Sequence, residues 1–229
     1  MKAVFVGQFE CERFGFSELV RLLKKYEFDT IYLHSEVYFL SEHFKDFNVF
    51  LWVNYHSEEL ESIYNKLIIF DNIKGVLLDG VRVLDDEFGL FGLLNVFNTT
   101  LTIRDVSKRL SVLGMELQVC FKQEDYVSVS RSELNRLLWS QSICLVKKWV
   151  NKVLLMGYHQ TYGVGLDKVV FMVNALRKKH GNKVVPIWQT FQDIPFDYNI
   201  YWKEVKAVSG FYSDKIFFRF GTCDLKTFE

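Results

Sequence analysis

Eight short apolar runs, each followed by a helix-sized segment, constrain the fold of this 229-residue chain more than any other feature. Apolar residues at helical spacing, such as Leu19, Leu22 and Leu23, predict helices between the runs. This alternation is the layout of a (β/α)8 barrel, whereas a doubly wound open sheet shows it with fewer strands, usually about six. The predicted strands cover residues 3–9, 30–34, 49–54, 73–79, 116–121, 153–158, 184–189 and 215–220.

The first predicted strand is not followed by the glycine pattern of dinucleotide-binding folds, which favours the barrel further. The length suits one large domain, and 49% hydrophobic residues are ample for its core. We therefore predict that residues 1–229 form a single α/β domain, a (β/α)8 TIM barrel.

The charge balance excludes some classes of partner. Lys+Arg and Asp+Glu both number 28, so no excess of charge favours nucleic acid or a membrane surface. No apolar run reaches the length of a membrane span, and the 4 cysteines show no CxxC spacing. We expect a cytoplasmic protein with reduced thiols that acts on a small polar ligand.

The fourth predicted strand ends on a carboxylate. Val76, Leu77 and Leu78 form an apolar run, as a strand buried on both faces requires, and Asp79-Gly80 ends it. A charge at the end of a buried strand gains little stability, so this position indicates a functional site.

The stretch Gly75-Val76-Leu77-Leu78-Asp79-Gly80-Val81-Arg82 resembles the fourth-strand motif of glycoside-hydrolase-like TIM barrels. The resemblance implies that Asp79 lies on the sugar-binding face and that Arg82 helps to hold it. Tyr158 is similar to an aromatic residue that several of these families place after strand six. The aromatic-proline ending of the motif is absent, since Val83-Leu84 follow Arg82, so no subfamily is identified. An Asp–Arg pair that only shapes the loop is the alternative.

Polar and aromatic residues stand at the other predicted strand ends, where a barrel gathers its chemistry. This set of polar and aromatic residues suits a sugar, which presents hydroxyls and the apolar faces of its ring. Solvated loops, however, make the mouth of any barrel polar. The residues that we predict to bind substrate, besides Arg82, are Gln8, Asn54, Tyr158, His159, Trp188 and Gln189.

Glycoside hydrolysis normally needs a second carboxyl as proton donor. Glu124 follows the fifth strand and is the first choice, because that strand neighbours the one that carries Asp79. Glu10 and Asp193 compete with it, and an exposed loop glutamate is the simpler interpretation of Glu124.

Other chemistries have weaker signals, and we expect neither a metal nor a cofactor. A barrel metal hydrolase usually opens with His-x-His, where this chain has Gln8-Phe9-Glu10, and the histidines show no metal-binding spacing. Lys122 is the nearest candidate for a Schiff base, and Gly221-Thr222 for a phosphate site.

An apolar insertion is predicted after strand four, at about residues 84–98, ahead of a helix that starts at about Thr99. It is interpreted as a lid, a substrate platform or a contact in a homo-oligomer, and a helix packed on the barrel is the alternative. The sequence thus predicts a glycoside-hydrolase-like enzyme acting on a carbohydrate, with Asp79 as nucleophile or base. The alternative is a non-catalytic barrel that binds a sugar or a protein partner.

Overall fold

A computed structural model describes residues 1–55, 59–81, 92–122, 142–158, 165–189 and 205–218. Eight parallel strands close into a barrel in sequence order, and β8 pairs with β1 to complete it. This confirms the predicted (β/α)8 TIM barrel. The strands are β1 (Lys2–Val6), β2 (Thr30–His34), β3 (Asn48–Asn54), β4 (Ile73–Asp79), β5 (Glu116–Phe121), β6 (Lys152–Gly157), β7 (Val184–Gln189) and β8 (Lys215–Phe218).

Helices lie between the strands. Val169, Met172 and Val173 show why: they recur on one face of α6 and are buried, and Gly181, with φ 78°, ends that helix. The α-helices are α1 (Gln8–Phe14), α2 (Phe16–Lys25), α3 (Glu59–Leu67), α4 (Gly92–Val112), α5 (Ile143–Val146) and α6 (Leu166–His180), with 3-10 helices at Ser35–Phe44 and Gly181–Lys183.

Alternation along each strand divides the core into two layers. One layer fills the barrel interior and includes Phe5, Tyr32 and Leu77, and the other, including Val76 and Leu78, lies between the barrel and the helices. Because successive side chains point to opposite faces, Asp79 shares the inward face of Leu77. The strand itself therefore directs this carboxylate toward the barrel mouth.

Gly75 permits β4 to approach β5 closely. A Cβ atom at this position would overlap the backbone carbonyl oxygen of Glu116, which is its register partner on β5. The close approach of β4 to β5 therefore accounts for the glycine at position 75 of the fourth-strand motif, four residues before Asp79, whatever the carboxylate does.

Two predicted boundaries were wrong. Strand β1 ends at Val6 and not at Phe9, because Glu10 accepts the Gly7 backbone N–H at 2.8 Å and α1 begins at Gln8. Helix α4 begins at Gly92 and not at about Thr99, so the second half of the segment 84–98 is its first two turns. Within this half Val96 is buried, whereas Leu94 and Phe97 are exposed.

Candidate functional site

Asp79 is held at the carboxyl end of the barrel by donors from β3, from β5 and from the residue that follows β4. Its Oδ2 accepts the indole N–H of Trp52 on β3 at 2.8 Å, and its Oδ1 accepts the backbone N–H of Gly80 at 2.7 Å. The thiol of Cys120 on β5 also donates to the carboxylate. Two of the donors therefore belong to barrel strands, and the third is the backbone of Gly80, the first residue after β4.

Compared with a carboxyl group in water, Asp79 is shifted toward its neutral, protonated form. Burial raises the pKa of Asp79 above its usual 3.8, while the bonds from Trp52, Gly80 and Cys120 and the positive charge of Lys122 lower it. Cys120 shows the reciprocal effect, because burial and the neighbouring Asp79 raise the pKa of its thiol well above the usual value. The raised pKa of the thiol keeps the proton on sulfur, as its role as a donor to Asp79 requires.

Aromatic rings surround the approach to Asp79. Trp52 meets Phe5 edge to face with ring centroids 5.1 Å apart, and Phe218 packs against both rings at 5.7 and 5.0 Å. Tyr158 follows at 5.4 Å from Phe218. Trp52, Phe5, Phe218 and Tyr158 thus form one connected aromatic cluster, in which Phe5 and Tyr158 are buried.

Tyr158 and Asn54 lie at the same end of the barrel as Asp79. Asn54 is the register partner of Asp79 across β3 and β4, and its Oδ1 limits the space above Gly80, whose φ is +67°. Tyr158 directly follows β6 and is buried in the interior layer that also holds Cys120. Both predicted substrate-binding residues are therefore near the carboxylate in the fold, although they are distant from each other in sequence.

A second group of polar residues surrounds a cavity of about 280 Å³ at the ends of β1, β2 and β3. Gln8, in the first turn of α1, is exposed and donates to Glu12 at 2.6 Å. His34 ends β2, and its ring meets Trp52 edge to face at 4.8 Å. Trp52 thus belongs to this cavity and also binds Asp79.

Trp188 is not part of the barrel mouth. Its side chain is fully buried in the layer between barrel and helices, where its ring centroid lies 5.7 Å from that of Tyr212. The alternation along β7 sends Ile187 into the interior and Trp188 outward, so the predicted substrate contact at Trp188 is wrong. Gln189 ends β7 in register with Phe218.

Three predicted site residues, Arg82, Glu124 and His159, lie outside the described residues, and so do residues 84–91 of the apolar insertion. The partners that sequence reasoning missed are Phe5, Trp52, Cys120 and Phe218. A period of two could have indicated Trp52 and Cys120, since Trp52 stands two residues before Asn54, the end of β3, and Cys120 two residues before Lys122, which directly follows β5.

Besides a cavity of about 380 Å³ that is lined in part by the same Gln8 and Glu36, two still larger cavities lie elsewhere among the described residues. One of about 510 Å³ is at the amino end of the barrel, lined by Met1, Thr30 and Lys152 among others. One of about 590 Å³ is lined by Glu42, Asn72 and neighbouring residues. Neither contains Asp79, and barrel chemistry belongs to the carboxyl end, so size alone does not make them the site.

In the ranges that the structure describes, no group of three or more His, Cys, Asp or Glu side chains is arranged to hold a metal ion. No helix within those ranges combines the length and the apolar character needed to cross a membrane.

No family model and no curated protein matches the sequence. Solved structures do match. The glycoside hydrolase domain of PgaB from Bordetella bronchiseptica aligns with a TM-score of 0.67 at 12% identity, over 95% of this chain and 93% of that one. Endo-beta-N-acetylglucosaminidase from Cordyceps militaris aligns with a TM-score of 0.64 at 9% identity, over 100% and 88%.

An isomerase matches as well. D-psicose 3-epimerase from Clostridium cellulolyticum H10 aligns with a TM-score of 0.53 at 14% identity, over 100% of this chain and 89% of that one. At such identities these likenesses establish the fold, which agrees with the barrel described above.

Proposed function

We propose that this protein is a glycoside-hydrolase-like enzyme that acts on a carbohydrate, with Asp79 as nucleophile or base. The observation that carries the proposal is the carboxylate itself, fixed by the Trp52 and Gly80 N–H groups at the carboxyl end of β4. The glycosidases among the structural neighbours support the substrate class.

The electrostatics suit a group that gains and loses a proton. A base works best when its pKa lies near the working pH, and burial moves the Asp79 pKa in that direction. The three hydrogen bonds keep the ionised form accessible, and a nucleophile or base needs that form. Burial and hydrogen bonding thus act in opposite directions on one carboxyl, as proton transfer requires.

The proton donor is proposed to be Glu124. It follows β5, which pairs with β4 in register from Gly75 to Leu78. Gln8, Asn54, Arg82, Tyr158, His159 and Gln189 are proposed as substrate contacts around the mouth. The cytoplasmic location and the homo-oligomer also stay predictions.

A second candidate function, sugar binding without catalysis, is favoured by one observation. Both oxygens of Asp79 already accept hydrogen bonds from the protein, which is also how a purely structural carboxylate is held. The two functions differ in whether Asp79 must ionise and react.

The substitution Asp79→Asn separates the two functions. Hydrolysis of chitotetraose and cellotetraose is measured by product chromatography, with Asp105→Asn, an exposed position on α4, as matched control. For an enzyme we expect turnover to fall by about 10³-fold or more, because an amide neither attacks nor takes a proton.

The stability of the Asp79→Asn variant should stay close to that of the wild type. Asn can accept only one of the two N–H bonds, at a cost of about 1 kcal/mol, while the charge is no longer buried. Unchanged hydrolysis by this variant would falsify the catalytic role of Asp79.

A further inference from the structure

A buried carboxyl near the end of β1 has no part in the proposed reaction. Glu10 is only 3% exposed. Its Oε2 accepts the Gly7 backbone N–H at 2.8 Å, while its Oε1 is buried and has no hydrogen-bond partner among the described residues. A buried carboxylate oxygen without a donor is unfavourable, so a donor from outside the protein would be stabilised here.

This oxygen belongs to a residue that lines a defined cavity. The cavity has a volume of about 280 Å³ and lies at the carboxyl ends of β1, β2 and β3. Trp52 lines it and also donates to Asp79 at 2.8 Å, so one indole borders both the cavity and Asp79. The lining residues are Phe5, Gly7, Gln8, Phe9, Glu10, His34, Glu36 and Trp52.

The cavity offers a carboxylate oxygen and an imidazole ring. The Nδ1 of His34 lies 3.4 Å from the Glu36 backbone nitrogen and 3.5 Å from Glu36 Oε2, so Nδ1 has a partner in either tautomer, and Nε2 is the other hydrogen-bonding atom of the ring. A hydroxyl both donates and accepts, so it can bind to the Glu10 carboxylate and to Nε2 of His34 in either tautomer. The rings of Phe5 and Trp52, 5.1 Å apart, add apolar surface for the C–H face of a ring.

We propose that this cavity is a subsite for one ring of a polyhydroxylated ligand, in which Glu10 Oε1 accepts a hydrogen bond from a ligand hydroxyl beside the indole of Trp52. The substrate class, a carbohydrate, rests on the proposed function. The choice of Glu10 rests on its own burial and bonding. Glu10 is a binding residue in this proposal, and Asp79 keeps the chemistry.

The substitution Glu10→Gln tests this role without removing the contact that Glu10 makes inside the protein. Gln keeps an acceptor for the Gly7 N–H, but places an N–H₂ donor where Oε1 stood. Glu12→Gln is the matched control, because Glu12 is an exposed residue of the same helix, and the side-chain oxygen of Gln still accepts the hydrogen bond from Gln8.

The binding of chitotetraose and cellotetraose is measured by calorimetry on the full chain carrying Asp79→Asn, so that turnover does not interfere. Adding Glu10→Gln should raise Kd about tenfold or more, the usual effect of losing a hydrogen bond to a charged acceptor. Adding Glu12→Gln should leave Kd unchanged, and the melting temperatures of all three proteins should agree within about 3 °C.

A second readout does not depend on the Glu10 variant folding. In ¹⁵N spectra of the Asp79→Asn protein, the Nε1–H resonance of Trp52, assigned with Trp52→Phe, should shift when either tetrasaccharide is added. The absence of that shift, or of any binding, overturns the subsite, and so does an equal Kd for Glu10→Gln and Glu12→Gln.

The two proposals can fail separately. Binding that depends on Glu10 in a protein without hydrolytic activity supports the subsite and contradicts the catalytic assignment. Hydrolysis that depends on Asp79, with binding indifferent to Glu10, contradicts the subsite alone.

Discussion

At the scale of single residues, removing the indole N–H of Trp52 is the most direct test of how the protein sets the pKa of Asp79. Its hydrogen bond is the largest of the effects that lower the Asp79 pKa against the burial that raises it. Trp52→Phe removes the donor and keeps an aromatic ring. The pKa of Asp79 should therefore rise, and the acidic limb of the kcat/KM profile against pH should move to higher pH.

Trp149→Phe is the control for this substitution, since Trp149 packs on the outer layer of the core away from the mouth. Its pH profile should coincide with that of the wild type. An acidic limb that stays in place in Trp52→Phe would show that Asp79 is not the group that the profile reports.

The same carboxyl should make stability depend on pH. The folded pKa of Asp79 is raised above its usual 3.8, so between the two values the native state binds more protons than the unfolded state. Its protonation stabilises the fold at acidic pH, and this contribution is lost as pH rises through the folded pKa.

Asp79→Asn has no such titration. The free energy of unfolding of this variant minus that of the wild type should therefore increase from about pH 4 to neutral pH, as measured by urea unfolding. Parallel curves for the two proteins would mean that burial does not shift this group.

At the scale of elements, Gly75 should be far less replaceable than a glycine in a turn. A methyl group at Gly75 would meet backbone of β5, which cannot move without breaking the strand pairing. Gly114, with φ +70° and open space around its Cβ position, is the matched comparison.

We expect Gly114→Ala to cost about 1 kcal/mol through its left-handed backbone alone, and Gly75→Ala to cost about 3 kcal/mol or more. Chemical denaturation of the two variants measures the difference. Equal losses would show that β4 and β5 can separate locally to accept the methyl group.

The elements show what the sequence can and cannot predict. The run Val184–Gln189 was predicted residue for residue, because a buried parallel strand leaves an uninterrupted apolar signal. Helix α1 was missed because its start depends on one contact, from the Gly7 N–H to Glu10, in a seven-residue helix with little periodicity. The early start of α4 was missed because exposed Leu94 and Phe97 obscure its pattern.

At the scale of the whole molecule, the topology explains why part of the site was predictable. In a parallel barrel all carboxyl ends meet at one rim, so placing Asp79, Asn54 and Tyr158 on strand ends was enough to bring them to the same end. The direction of each side chain was not predictable from position alone, as Trp188 shows by turning outward. The donors to Asp79 could not be predicted either, since Trp52 and Cys120 come from different strands.

The closed topology also leads to a prediction about unfolding. Strand β1 pairs with both β2 and β8, and one apolar layer continues around the outside of the barrel. Loss of any strand therefore removes the pairing partners of two others. A chain that forms a single domain in this way should unfold in one cooperative transition.

Leu77→Ala in β4 and Ile216→Ala in β8 place the same kind of cavity at distant points of the barrel interior, where both side chains are fully buried. Each should lower the free energy of unfolding by about 2–5 kcal/mol. In both variants, tryptophan fluorescence and far-ultraviolet circular dichroism should report the same lowered midpoint, because neither half of the barrel has a core of its own. Separate midpoints in either variant would divide the chain into units that unfold independently and contradict the single domain.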